Sequence, residues 1–234
     1  FDHSTARQAN DVPFGTGYQE TCVTVTLMQF FYQLNLITGD PKYIDAFERS
    51  LYNGYLGAVN TDDAIDTTAA EMYPELTMVP MPFDSYSPLT PGIRGNGTGG
   101  LKPFSDGRYY GCCICIGAAG IGAAMKTAVL TSKTGVVVNL FENGTVTQPL
   151  ANGKTVTLKF DTAYPIDKNV KIIVDTDCDE DFEILVRNPE WSVNTAACVN
   201  GNNITATKGY ISIYRKWSSG DVIEVNFDMR ARAI

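Results

Sequence analysis

Six cysteines and a single histidine limit the chemistry that this sequence can carry. The cysteines are Cys22, Cys112, Cys113, Cys115, Cys178 and Cys198, and the histidine is His3. One histidine argues strongly against a histidine-based catalytic triad or a histidine-rich metal site. A disulfide scaffold would need denser cysteines in a shorter chain than these 234 residues. The cysteines are therefore candidates for thiol chemistry or for metal binding.

Three of the thiols stand at the start of one predicted helix. Cys112, Cys113 and Cys115 open a run of small residues, and the positive end of a helix dipole favours the thiolate form of cysteine. Thiolates are both nucleophiles and metal ligands, and zinc takes four sulfur, nitrogen or oxygen ligands. Any further ligand would come from Cys22 or from a carboxylate, and Glu20 lies beside Cys22 at another predicted helix start.

The same cysteines also have a purely structural interpretation. Cysteine is among the residue types most often buried, so each thiol is compatible with a place in the core. This interpretation is strongest for Cys178 and Cys198, which lie in or beside predicted strands. For the cluster at 112–115, composition alone leaves both interpretations open.

The elements that would position these thiols are helices in the first half of the chain. Residues 19–57 are predicted to form a helical hairpin, because Gly39, Asp40 and Pro41 supply a helix stop, an N-cap and a first helical residue. Residues 114–130, rich in small apolar side chains, predict a closely packed helix. Neighbouring helices of this kind occur in α-bundles and α/α barrels.

The second half of the chain has the pattern of a β-sandwich. Two Asn-Gly pairs, Asn143-Gly144 and Asn152-Gly153, stand between apolar alternating runs and predict hairpin turns. Further strands are predicted at 170–174, 182–186, 210–214 and 222–227. Short strands at regular spacing imply an antiparallel sandwich. The expected division is a helical region at 1–132 and a sandwich at 133–234, an α+β multidomain chain.

Composition and charge exclude several classes of partner. Hydrophobic residues make up 44% of the chain and charged residues 19%, as in ordinary globular proteins, and the formal net charge is −8. Nucleic acids and anionic membrane surfaces both bind clustered positive charge, so neither is expected as the main partner. The sequence has no apolar run of about 18 residues and no leader pattern, so we expect no membrane span or uncleaved signal peptide.

Seven short motifs follow one another along nearly the whole chain. They are GYQETC at 17–22, LITGDPKY at 36–43, ERSLYNG at 48–54, GCC at 111–113, VVNL at 137–140, LVRNPEW at 185–191 and WSSGD at 217–221. In this order the motifs resemble glycoside hydrolase family 127, the β-L-arabinofuranosidase family. The resemblance implies a partial (α/α)6 barrel at 1–132 followed by an antiparallel β-sandwich at 133–234.

The resemblance also implies a zinc site and a nucleophile. By position, the zinc ligands would be Glu20, Cys22, Cys112 and Cys113, and Cys112 would be the nucleophile of a retaining glycosidase acting on pentofuranosyl glycans. Zinc would keep a thiolate at neutral pH, which an unaided thiol would not manage. Cys115 is an additional thiol that departs from the family pattern, and it leaves open whether Cys115 rather than Cys113 is a ligand.

Other parts of the family's active site are only partly represented. The resemblance makes Glu48 a pocket carboxylate that contacts or supports the sugar, and the alternative is a solvated helix-face residue paired with a nearby arginine. The acid/base glutamate is expected upstream of Phe1. We therefore expect no turnover by these 234 residues alone, unless another chain or subunit supplies the missing barrel portion.

The expected partner is a glycan or small oligosaccharide. Metal-bound free thiols fit a reducing cytoplasm better than an oxidising compartment, and a periplasmic location stays open. A different class of function is a non-catalytic carbohydrate-binding or structural sandwich with inert, buried thiols. In that case Trp191 and Trp217 would stack on sugar rings if exposed, whereas packing between or beside the sheets is the alternative for both.

Overall fold

A computed structural model describes residues 19–60, 71, 74–75, 82–83, 86–87, 102–103, 109–110 and 112–231. His3 and the glycine-rich stretch at 92–100 lie outside these residues. The chain divides into two compact units, Phe1–Ile37 with Ala46–Ala124, and Thr38–Asp45 with Met125–Ile234. The domain boundary expected after residue 132 stays a prediction. No helix in the described ranges is long and apolar enough to cross a membrane.

The helices predicted in the first half of the chain are present. Helix α1 covers Thr21–Thr38, α2 covers Lys42–Arg49 and continues as a π-helical segment at Ser50–Tyr55, and α3 covers Cys112–Ala128.

The connection between α1 and α2 follows the predicted capping chemistry. Gly39 has a φ of +67°, which glycine adopts without the steric cost of a Cβ. The Asp40 side chain then accepts a hydrogen bond of 3.0 Å from the backbone N–H of Lys42, at the first turn of α2.

Four short strands lie beside the helices. Strand β1 (Gln19–Glu20) pairs antiparallel with β2 (Tyr86–Ser87), and β3 (Lys102–Pro103) pairs antiparallel with β4 (Tyr109–Tyr110). Strand β1 runs directly into α1, and β4 ends two residues before α3 begins. Each of these two helices therefore begins next to a short strand that fixes the direction of the chain.

Two sheets form the second half of the chain. Their strands are β5 (Val129–Thr131), β6 (Gly135–Val138), β7 (Gly144–Pro149), β8 (Thr155–Thr162), β9 (Asn169–Thr176), β10 (Asp181–Asn188), β11 (Ala196–Val199), β12 (Asn202–Ile204), β13 (Gly209–Lys216) and β14 (Val222–Asn226). One sheet has the order β13-β10-β6-β5 and the other β12-β11-β14-β9-β8-β7. Helices followed by a two-sheet sandwich confirm the predicted fold class.

The core of the sandwich comes from alternate residues of its strands. In β8, β9 and β10 every second side chain is buried, as the period of a β-strand requires. These strands contribute fully or almost fully buried aliphatic and aromatic side chains from both sheets, namely Val156, Leu158, Phe160, Val170, Ile172, Val174, Phe182, Ile184 and Val186.

Three details of the sandwich differ from the sequence-based prediction. Asn143-Gly144 does not close a hairpin, because β6 and β7 belong to different sheets, whereas Asn152-Gly153 does join the paired strands β7 and β8. Strands β11 and β12 were not predicted, since they are short and largely polar or small in sequence. The pairing of β6 with β10 is parallel, in a sandwich whose other described pairs are antiparallel.

Candidate metal centre

Glu20 and Cys22 reach the site from the start of α1. Glu20 ends β1, and its backbone carbonyl accepts a hydrogen bond of 3.1 Å from the Thr24 hydroxyl in the first turn of the helix. Glu20 is buried at 9% exposure, and Cys22 is half-buried. The strand-to-helix junction therefore holds a carboxylate and a thiol at the end of α1 where the helix dipole favours anions.

Cys113 reaches the same site from the first turn of α3. It is 1% exposed. Tyr55 supports the helix close to this turn, because its hydroxyl donates a hydrogen bond of 2.6 Å to the carbonyl oxygen of Gly117. The Tyr55 and Phe83 rings lie 5.6 Å apart, and both pack where α3 has glycine.

Small residues in α3 make this support possible. A Cβ on Gly117 would come within 2.8 Å of the Phe83 ring, and a Cβ on Gly120 within 2.3 Å of the Tyr55 ring. Both separations are below normal contact, so the aromatic rings need glycine at these two positions. The sequence reasoning missed Tyr55 and Phe83, although glycines three residues apart in a helix were a signal of close packing.

The three ligand atoms of Glu20, Cys22 and Cys113 all lie within 4.8 Å of one another. The two sulfur atoms are 3.0 Å apart, although the residues are 91 positions apart in sequence. The two cysteines do not form a disulfide bond with each other. In the part of the chain that the structure describes, this is the one group of three or more cysteine, histidine or acidic side chains that could hold a metal ion.

The chemistry of the group fits zinc. Two thiols and a carboxylate are ligands that zinc accepts in tetrahedral sites. Two thiolates on one tetrahedral zinc lie about 3.8 Å apart, given zinc–sulfur bonds of about 2.3 Å. The Cys22 and Cys113 sulfur atoms would separate by less than ~1 Å from their spacing here to reach that geometry.

The structure treats the neighbouring cysteines differently. Cys115 is exposed, because two residues along a helix turn its side chain about 200° away from that of Cys113. The geometry therefore groups Cys113, and not Cys115, with Glu20 and Cys22. The backbone of Cys112 begins α3, but its side chain lies outside the described part of the structure. Its assignment as ligand and nucleophile stays a prediction.

Glu48 lies in the last turn of α2, two residues before the π-helical segment begins. It is 5% exposed, so it is not a solvated helix-face residue. Glu48 is not a member of the three-residue ligand group. Single π-helical turns are frequent at functional sites, because the extra residue redirects the side chains around it. This context is compatible with a pocket carboxylate, and the role of Glu48 itself stays a prediction.

The two cysteines of the sandwich lie apart from this group. Cys178 is 5% exposed, as predicted for a core thiol. Cys198 is half-buried, and its thiol donates a hydrogen bond of 3.3 Å to the Glu224 carboxylate. Burial, and secondarily the Glu224 carboxylate, raise the pKa of the Cys198 thiol. Cys198 is therefore held in the protonated, weakly nucleophilic form.

The tryptophans do not provide a pair of exposed stacking surfaces. Trp217 is 2% exposed, and its indole N–H donates a hydrogen bond of 3.1 Å to the carbonyl oxygen of Phe182. Trp191 is 38% exposed and packs edge-on to Phe227, with 5.7 Å between the ring centroids. The packing interpretation therefore applies to Trp217.

The fold and the site together define a class of protein. Its helical region carries a candidate metal site made of thiols and a carboxylate, and a two-sheet sandwich follows that region. Two models of one family match this chain. "Beta-L-arabinofuranosidase, GH127 catalytic domain" matches residues 2–69, and "Beta-L-arabinofuranosidase, GH127 middle domain" matches residues 135–229. Together they match well over half of the chain. The chain belongs to glycoside hydrolase family 127.

Solved structures share the fold. A GH127 β-L-arabinofuranosidase from Geobacillus stearothermophilus aligns with a TM-score of 0.68 and 23% identity over 96% of this chain and 34% of its own. A structure described as a glycoside hydrolase aligns with a TM-score of 0.70 and 24% identity, over 92% of this chain and 34% of its own. A structure described as a GH127 β-arabinofuranosidase aligns with a TM-score of 0.64 and 24% identity, over 92% of this chain and 33% of its own. The chain thus spans about a third of the length of these proteins, and no curated protein sequence matches it.

Proposed function

We propose that this chain carries part of the active site of a retaining glycoside hydrolase that acts on arabinofuranosides. The observation that carries the proposal is the group formed by Glu20, Cys22 and Cys113, whose ligand atoms lie within 4.8 Å of one another. Membership of glycoside hydrolase family 127 supports the reaction class. The named activities of the similar structures support the arabinofuranoside as substrate class.

The metal in this proposal is zinc, held by Glu20, Cys22, Cys113 and Cys112. A zinc ion there would stabilise thiolates at neutral pH and fix their direction. The helix starts that carry Cys22 and Cys113 add to this effect, because the positive ends of the helix dipoles also favour thiolates.

The proposed nucleophile is Cys112. Its sulfur would attack the anomeric carbon of the sugar and break the bond to the leaving oxygen, which departs with a proton from an acid/base carboxylate. Water activated by the same carboxylate would then cleave the thioglycosyl bond, with net retention of configuration. Glu48 would accept hydrogen bonds from the sugar hydroxyls and orient the ring for attack.

Metal binding is the decisive measurement, because the chain spans about a third of the length of the structures that it matches. After dialysis against trace zinc, elemental analysis should find about one zinc ion per chain. Cys22→Ser and Cys113→Ser should each lower the zinc content at least about tenfold, since each removes a direct ligand. Cys198→Ser is the matched control and should bind zinc normally.

Cys115→Ser tests which cysteine of α3 is the ligand, and it should also keep its zinc. A folded wild-type chain that holds no stoichiometric zinc would contradict the proposal. Equal zinc content in the Cys113→Ser variant and the wild type would contradict the ligand assignment. Hydrolysis of p-nitrophenyl arabinofuranoside by the chain alone is not expected, and turnover there would show that these residues hold a complete site.

A further inference from the structure

A second concave site lies at one end of the sandwich, and it shares no residue with the thiol group. The cleft has a volume of about 240 Å³ and is formed by three turns and the edge of β13. The turns are β5–β6 with Lys133, β7–β8 with Asn152 and β9–β10 with Glu180. Pockets for drug-sized ligands measure roughly 300–1,000 Å³, so this cleft suits one small, compact ligand.

Tyr214 provides an exposed aromatic surface in the cleft. Its side chain is 64% exposed on β13, although tyrosine is a residue that commonly buries its ring. Buried Leu150 also lines the cleft and adds apolar surface to it, whereas the Phe182 side chain faces the core side of its sheet. An exposed aromatic ring binds the C–H face of a flat ring through dispersion and hydrophobic contact.

Polar residues also line the cleft that contains Tyr214. Asn152 donates hydrogen bonds of 3.3 Å to the Cys178 sulfur and 3.2 Å to the Glu180 carboxylate, and these bonds tie two of the turns together. Asp181 and Lys133 also line the cleft, and no hydrogen bond or ion pair is found for their charged ends among the residues that the structure describes. The cleft thus offers both acceptors and a donor on a prearranged wall.

The combination of groups selects the class of ligand. Two carboxylates disfavour anions such as phosphate, and Lys133 disfavours a cationic ligand that the carboxylates and the tyrosine ring would otherwise attract. A neutral ring with several hydroxyls satisfies all of these groups, since carboxylates accept from hydroxyls and an ammonium donates to them. We propose that the cleft at Tyr214 is a binding site for one sugar residue of a glycan, separate from the candidate metal centre. The choice of an arabinofuranosyl probe rests on the proposed function.

Chemical-shift titration of the ¹⁵N-labelled full chain with an arabinofuranosyl trisaccharide tests this inference. Saturable shifts should appear at Asn152, Asp181 and Tyr214, with a Kd on the order of 1 mM for a small exposed site. Tyr214→Ala should weaken binding about tenfold or more, and Tyr214→Phe should keep it within about twofold, because the ring and not the hydroxyl makes the stack. Asp181→Asn should weaken binding by a smaller factor.

Controls separate this site from other possibilities. Trp191→Ala removes another exposed aromatic ring of the sandwich and should not change binding. Cys113→Ser should abolish zinc binding but leave the shifts at the cleft, so failure of the proposed function and failure of this inference are distinguishable. The inference is overturned by absence of saturable shifts at the cleft, by shifts confined to the metal centre, or by tighter binding of tetramethylammonium than of the sugar at Tyr214.

Discussion

The surroundings of a cysteine thiol differ between two places in this protein, the contact of Cys22 with Cys113 and the contact of Cys198 with Glu224. At 3.0 Å they are much farther apart than the ~2.05 Å of a disulfide bond, and Glu20 completes a group that suits a metal ion. Cys198 also lies beside a carboxylate, yet burial and its hydrogen bond to Glu224 raise its pKa. The number and type of neighbours, and not the thiol itself, distinguish the two environments.

This difference predicts the pattern of thiol alkylation. With zinc removed by a chelator, Cys22 should react with iodoacetamide, and added zinc should slow that reaction several-fold because a metal-bound thiolate is shielded. Cys198 should react slowly at neutral pH with or without zinc. Because its pKa is raised, its thiolate forms only at higher pH, and its rate should rise as the pH passes the ordinary thiol value. Mass spectrometry of the alkylated peptides measures each site.

Exposed Cys115 is the internal reference for this experiment. Its alkylation should be fast and independent of zinc. A Cys198 rate equal to that of Cys115 at neutral pH would contradict the environment described for Cys198. Zinc-independent alkylation of Cys22 would count against the metal centre.

Helix α3 packs closely against the Tyr55 ring because it has a glycine, with no side chain, at the contact. Gly120 leaves room for the Tyr55 ring, whereas no described residue comes within 4 Å of a Cβ placed on Gly122. The two glycines lie in the same helix and differ in what faces them. They therefore form a matched pair for testing whether the contact of Tyr55 with α3 stabilises the protein.

Gly120→Ala should lower the free energy of unfolding by about 1–3 kcal/mol, because the new methyl group overpacks against the Tyr55 ring. Gly122→Ala should raise it by about 0.5–1 kcal/mol, because alanine has the higher helix propensity and its methyl group meets no neighbour in the part of the chain that the structure describes. Urea unfolding measures both variants. Similar changes of the same sign in both would show that the Tyr55 contact does not constrain the helix.

Helix α2 is joined to the sandwich by a buried ion pair. The Arg187 side chain is 0% exposed, and one of its terminal nitrogens lies 2.5 Å from the Asp45 carboxylate. Its Nε donates a hydrogen bond of 2.6 Å to the Asn139 carbonyl oxygen, and the Tyr210 hydroxyl donates one of 2.7 Å to the Asn139 side chain. This network connects residues up to 142 positions apart within one compact unit.

At the scale of the whole molecule, Asp45→Asn should lower the free energy of unfolding by about 3–5 kcal/mol, since it removes the carboxylate that faces the buried Arg187 charge. Lys42→Ala breaks an exposed pair with Asp40, the residue that caps α2, and should lower the free energy of unfolding far less than Asp45→Asn does. The double variant Asp45→Asn with Arg187→Met should be more stable than Asp45→Asn alone. Chemical denaturation decides, and equal costs for the two single variants would contradict a buried pair.

Much of the fold could be predicted because its signals are local. Gly39, Asp40 and Pro41 act within one turn of chain, and strand alternation repeats every two residues, so the sequence predicts where α2 begins and where β8 to β10 run. The prediction of a hairpin at Asn143-Gly144 was wrong because strand pairing is not a local property. A turn signal does not report which sheet the next strand joins, and β7 joins the sheet that β6 does not.

By itself the sequence determined the order of helices and strands, the family resemblance and the set of candidate ligands. Only the tertiary structure decided that Cys113 faces Glu20 and Cys22 while Cys115 faces outward, that Trp217 is in the core, and that Tyr214 is exposed. Propensities and caps act over a few residues, whereas these outcomes depend on contacts between distant segments. The thiol contact spans 91 positions, and no local pattern specifies a distance between atoms so far apart in the chain.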